Sequence, residues 1–441
     1  MTPPIVPVSR RTLLAGLGGA ICAPWLASAG LAQSRPSLAL QARAGTAALR
    51  PGAETACWLL ASPAADGPLR FRRGDEIDVA LENQLPIPVA LNWTGQDGAA
   101  SAEPLLGRPA LAAGGKDSFK VRLRHAGTAM IDTRLLGDGQ ALPSPARALV
   151  VQETEAVATD RDEVLLIEDF RLRPDGTPVA PGVDPKDAEA LFTVNGKSGL
   201  DLTVRAQDRL RIRFINGCQR NVIAIKIEYH EVRVMAIDGQ PAEPFLARNG
   251  QLVLAPGTRI DVFVDATKPA GSASTILLHD GKQARPIGRL VVSQDVPARD
   301  KPQPPAAPLP GNGLPAQLDL KNAQRIDLTL GAAAPVPDWI RPADLAAATV
   351  PSFRAKTGRT VVLALTNRAA VPSIFHLHGH HFRLLDRLDD GWKPFWLDTL
   401  AIDAGQTQRI AFAAEHPGRF LMEAMATDWA APRLVRWYEV G

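Results

Sequence analysis

The sequence predicts an all-β protein built from three consecutive β-sandwich domains. Three observations carry this: a strand pattern that recurs three times, a composition rich in turn residues, and the absence of long amphipathic helical patterns. The recurring pattern is GDEIDVALEN from Gly74 to Asn83, QDRLRIRFIN from Gln207 to Asn216 and GRTVVLALTN from Gly358 to Asn367. Each copy is a turn, an alternating strand and a closing asparagine. A second pattern begins 32 to 41 residues after each asparagine, at Gly115, Gly257 and Gly405, and reads as a glycine turn into a half-buried strand.

A chain of 441 residues exceeds the size at which a single hydrophobic core stops growing. The repeat spacing gives domains at 36–153, 154–296 and 319–441, with 297–318 as an extended, proline-rich linker. The 36 glycines and 38 prolines supply the turns that many short strands need. Short helices are expected from Pro185 to Phe192, with Asp184 as the cap, and from Pro337 to Ala348.

Residues 1–29 read as a twin-arginine signal peptide: Arg10 and Arg11, a weakly apolar run to Leu26, then Ala27, Ser28 and Ala29 as a small-residue cleavage site. An ordinary secretory signal and a retained anchor are the alternatives. No later stretch approaches the ~18 continuous apolar residues that a membrane-crossing helix requires. The expectation is a periplasmic mature chain without a membrane span. Loss of the segment removes two arginines and no acidic residue, so the formal charge falls from +3 to +1. Near-neutrality gives no electrostatic reason to expect nucleic acid or anionic lipid as the main partner. Cys22 leaves with the signal; Cys57 and Cys218 remain, as either a disulfide or two buried thiols.

Half of the eight histidines fall in one run, His376, His378, His380 and His381. Strand residues two apart share a face, so His376, His378 and His380 are expected to point together. Neutral imidazoles at that spacing suit copper, zinc or nickel, and a hydrogen-bonded patch is the bland alternative.

This run resembles the His-Pro-x-His-Leu-His-Gly-His motif in the last domain of multicopper oxidases, and the threefold repeat resembles their three cupredoxin domains. The likeness extends over essentially the whole mature chain, through Ala90 to Gly95, Ala126 to Thr128, Asn195-Gly196, Ile237 to Gly239, Asp398-Thr399 and Pro417-Gly418. It implies Greek-key cupredoxin-like sandwiches. The family's chemistry uses four histidine motifs: a mononuclear copper takes electrons from substrate, and a Cys-His path passes them to three coppers that reduce dioxygen.

Position by position, the resemblance implies a depleted copper frame. The first motif, His-Trp-His-Gly, stands as Asn92, Trp93, Thr94 and Gly95, and the second falls on Asp132, Thr133 and Arg134. The third keeps His376 and His378 but has Ser373 in place of the mononuclear-site histidine; His380 is not a ligand position. The fourth maps onto Glu423, Ala424, Met425 and Trp429, so the electron-relay cysteine is replaced by alanine. We expect Arg134 to fill the former copper volume and to pair with Asp132 or Glu423, with His376 and His378 around it.

The leading reading is therefore a non-catalytic exported protein with no cofactor, similar to the copper-free FtsP cell-division proteins, whose implied partners are envelope or division proteins. The alternative is a copper-binding oxidoreductase, or other single-metal enzyme, holding one copper or other divalent ion on His376 and His378 with help from Glu423, Asp132 or His380. A hydrolase based on Ser373 lacks a nucleophile elbow and a third partner. With only five methionines, the sequence also lacks the methionine-rich insert of cuprous-ion oxidases.

Overall fold

The structure, a computed structural model, describes residues 35–50, 53–63, 67–331, 339–386 and 391–441. The segment read as a signal peptide lies outside the described residues. Among those described, the chain forms 28 strands and four short 3-10 helices, arranged in six sheets. The all-β reading holds.

The sheets come in pairs along the chain. Strands between Ser37 and Gln152 make two four-stranded sheets. Those between Arg161 and Val292 make a six- and a five-stranded sheet, and those between Gln324 and Val440 a four- and a five-stranded one. Each pair encloses its own apolar core, with Ile77, Leu123 and Leu149 in the first, Ile212, Phe214 and Val262 in the second, and Phe375, Phe412 and Phe420 in the third. Burying each such side chain contributes roughly 1.5–3 kcal/mol.

The two repeated patterns are partners. Strand Glu76–Asn83 runs antiparallel to Lys116–Arg122, Arg209–Asn216 to Arg259–Asp265, and Thr360–Asn367 to Thr407–Ala413. On its other edge each first strand takes a parallel neighbour, Ser37–Arg50, Arg161–Leu172 and Gln324–Leu330.

The closing asparagine has the same task three times. Asn216 Nδ2 donates to the carbonyls of Asn221 (3.0 Å) and Leu254 (2.8 Å), while its Oδ1 accepts from Cys218 N (2.9 Å). Asn83 reaches Ile87 O, Leu111 O and Leu85 N, and Asn367 reaches Val371 O, Ile402 O and Ala369 N. All three are fully buried. Each ties the turn that follows its strand to a carbonyl farther along the chain, which is why a planar side chain with both a donor and an acceptor recurs there.

Two expected helices are corrected. Residues 185–188 form a turn in which Asp184 Oδ1 accepts from Lys186 N, and Glu189–Val194 is a strand paired with Arg161–Leu172. The buried run Phe192, Thr193 and Val194 belongs to the edge strand of a sheet, not to a helix face. Of the second, the start falls outside the described residues and a 3-10 helix spans Pro342–Ala347. The proline-rich segment is not a free spacer. Leu309 is buried against Met235 and Phe263, Pro304 O accepts from Arg209 (2.9 Å), and Arg299 pairs with Asp160 (2.6 Å).

Candidate functional site

Strand Ser373–Leu377 lies between strands Gly418–Ala426 and Thr399–Ile402, which places His376 directly opposite Glu423 on one side and Thr399 on the other. In the first pair of sheets, Asn92 stands directly opposite Asp132. These two places face each other. Asn92, Thr94, Asp132, Arg134, His376, Glu423, Met425 and Arg433 all line one cavity of about 40 Å³, and Asn92 Nδ2 donates to Glu423 Oε1 across 3.2 Å.

The two imidazoles of this site differ in charge. His378 has Glu103 Oε1 at 2.8 Å from Nδ1 and Glu423 Oε1 at 2.8 Å from Nε2. Burial alone would push its pKa down, but the two carboxylates outweigh burial and hold it up at about 10, so it is an imidazolium with both nitrogens donating. His376 Nδ1 donates to Asp398 O (3.1 Å) and Thr399 Oγ1 (3.0 Å), and burial pushes its pKa down to about 4. It is neutral, and its Nε2 is a buried lone pair without a partner. Asn92 Oδ1 is likewise buried and unpartnered.

Arg433, not Arg134, is the cation paired with Glu423. Burial opposes the Glu423 charge, yet Arg433 and His378 keep its carboxyl well below the usual range. The expected pairing of Arg134 is corrected: its backbone N–H donates to Asp132 Oδ1 (2.8 Å), but its guanidinium turns away to Glu168, Ser144 O (2.6 Å) and Gly217 O (2.6 Å). The physical reason is that Arg134 opens a 3-10 turn, Arg134–Leu136, which carries the side chain toward the middle sheets. Asp132, left without a guanidinium of its own, has its pKa raised by burial.

His380 does not join the other two. The strand ends at Leu377 and Gly379 adopts φ +74°, so alternation is lost and His380 turns into the apolar core, with Tyr438 Oη at 2.7 Å and His416 N donating to its Nε2 (3.2 Å). Only His376 and His378 stay adjacent, their ring centres 4.7 Å apart. Ser373 donates to Asn367 Oδ1 (2.9 Å), Ala424 packs in the core, Met425 Sδ accepts from Arg220 (3.6 Å), and Trp429 donates to Ala180 O (2.9 Å) beneath the Arg171 guanidinium. Cys57 and Cys218 are separate buried thiols, hydrogen-bonded to Thr55 O and Ile167 O; this corrects the disulfide alternative, because the two belong to different apolar clusters.

Sequence reasoning missed Glu103 and Arg433. Neither carries a periodic signal: Glu103 follows a three-residue 3-10 turn, and Arg433 sits in the loop just before the last strand. In donor chemistry, His376, His378 and Glu423 each offer an atom within 4.8 Å of the others, and so do Asp97, His125 and His381.

Two family models described as multicopper oxidase match the chain, over residues 146–278 and 317–440. The multicopper oxidase MmcO of Mycobacterium tuberculosis is 25% identical over 411 residues, covering 81% of this chain and 78% of that protein. Among solved structures, a multi-copper oxidase from Pseudomonas thermotolerans is similar at a TM-score of 0.77 and 24% identity, covering 92% of this chain and 99% of its own. Lac15 from a marine microbial metagenome reaches 0.73 and 26%, covering 92% and 100%.

Proposed function

From the premise that the chain belongs to the multicopper oxidase superfamily, we propose that it is a non-catalytic member. It is exported to the periplasm by the twin-arginine route and binds envelope or cell-division proteins there. The observation that carries the first half is the engagement of Glu423 by both Arg433 and His378 inside the cavity shared by Asn92, Asp132 and His376.

A four-copper complement does not fit these side chains. A blue centre needs a thiolate beside two imidazoles. Its positions here are Ala424, Ser373 and Trp429, the last two committed to Asn367 and Ala180. A cluster of cations would also have to share its volume with the Arg433 guanidinium and the His378 imidazolium. Electron transfer to dioxygen therefore has no route through this frame. The paired arginines at Arg10 and Arg11 support export, and the shared architecture with FtsP proteins supports the envelope role.

The test is copper loading of the exported protein, followed by metal content per chain, a visible spectrum and a phenol oxidation assay. We expect no blue band and no oxidation; several coppers per chain with a blue band would overturn the proposal. Replacing Arg10 and Arg11 by lysine should abolish export.

A second reading is favoured by one observation, the orphaned His376 Nε2 and Asn92 Oδ1 on the same cavity. A single divalent ion on His376, His378 and Glu423 would satisfy the His376 lone pair, once His378 gave up its Nε2 proton and Arg433 was displaced from the carboxylate. Its signature is one bound ion that disappears in His376→Ala.

A further inference from the structure

Four of the eight histidines gather away from that cavity, around Asp97. We propose that Asp97, His125 and His381 form a binding site for one divalent cation of the imidazole-preferring class, zinc foremost, that fastens the first pair of sheets to the third.

The donor geometry is that of a metal site. His381 Nδ1 lies 2.8 Å from Asp97 Oδ1 and His125 Nδ1 lies 3.4 Å from Asp97 Oδ2. Ligand atoms about 2.0–2.2 Å from a zinc ion stand about 3–3.5 Å from one another. All three donors fall within 4.8 Å of each other. The orientation of His381 is fixed from outside, because its Nε2 donates to Asp238 O at 2.9 Å. That leaves Nδ1 directed at Asp97, the arrangement in which a backbone carbonyl holds a ligating imidazole.

Charge favours a cation here. Three buried carboxylates, Asp97, Asp238 and Asp398, share this region with the Arg259 guanidinium, which is spent on Asp398 at 2.7 Å, and with His381, whose Nδ1 gives up the proton it donates to Asp97 when a metal takes its place. Asp97 has imidazoles for partners. This is the difference from Glu423, whose carboxylate is taken by Arg433. One group opposes the ion: Gln240 Nε2 lies 3.1 Å from His125 Nδ1, and its amide is held that way round because Oε1 accepts from Asn312 Nδ2 at 3.0 Å. That hydrogen bond has to yield to the metal. Access runs past His125, whose side chain is 11% exposed.

The site draws on all parts of the fold. Asp97 and His125 come from the first pair of sheets, His381 from the third, Gln240 from the middle, and Asn312 from the segment that follows the middle sheets. A bound ion would replace several weak cross-contacts by one coordinate link.

The experiment uses the mature protein, stripped with a chelator, equilibrated with Zn2+ and analysed for bound zinc per chain. We expect one zinc, lost in Asp97→Asn and in His125→Ala but retained in His376→Ala. Gln240→Glu, which turns the opposing donor into a ligand, should bind zinc more tightly than the wild type, a gain that misfolding cannot mimic. No bound zinc in the wild type, zinc that survives both Asp97→Asn and His125→Ala, or weaker binding by Gln240→Glu would each overturn the proposal.

Discussion

Arg433 donates through Nη1 to Glu423, ten residues earlier in the chain, within a cavity where Glu423 also receives His378 and Asn92. One carboxylate thus gathers a guanidinium, an imidazolium and an amide, all buried. Its dependence on these partners sets the first expectation.

Arg433→Met should destabilise the protein by about 3–5 kcal/mol, because it strands the buried Glu423 carboxylate without its guanidinium. Arg433→Met combined with Glu423→Gln should recover much of that loss. Urea unfolding of the two variants checks this; a double variant no more stable than the single would show that the ion pair is not the unit.

Asn216→Ala should cost about 2–4 kcal/mol, since it leaves two buried carbonyls and one buried N–H without partners. Asn83→Ala and Asn367→Ala should fall in the same range, because the three side chains make the same contacts. Chemical denaturation of the three variants is the measurement, and a negligible effect at any one would break the equivalence of the repeats.

Both mature cysteines should be unreactive in the native state and both should react after unfolding without reductant. Cys57 is pushed up to about 12 by burial and nearby Glu168, and Cys218 is raised well above its ordinary value by burial. The thiolate is the reactive form, so neither presents a nucleophile at neutral pH. A thiol count with and without denaturant tests this.

Asp162 is held below its ordinary pKa: burial pushes it up, but Arg213, with hydrogen bonds of 2.6 and 2.8 Å, and Arg70 outweigh burial. A carboxyl whose folded value is depressed contributes stability that is present above its unfolded value near 3.9 and is lost as pH falls below it. Asp162→Asn should therefore be less stable than the wild type at pH 7, with a smaller gap at about pH 3. Urea midpoints at the two pH values decide it.

Much of the fold was legible because it rests on local rules. The alternation of Glu76–Asn83 and its two counterparts marks a strand with one buried face, and the glycine turns at Gly115, Gly257 and Gly405 mark where the partner strand begins. Residues 185–192 misled because a short apolar stretch after a proline fits a helix face and a strand edge equally, and pairing with Arg161–Leu172 decides between them.

The sequence by itself determined that the protein is all-β, that its repeat is threefold, and that His376 and His378 share a face, because each follows from periodicity and spacing within a few residues. The tertiary structure alone decided that His380 leaves that face after Gly379, that Arg134 serves Glu168 while Arg433 serves Glu423, and that Asp97 meets His381 across 284 positions of chain. A buried charge takes whichever partner the packing of sheets brings within reach, and that partner is set by neither neighbour nor period.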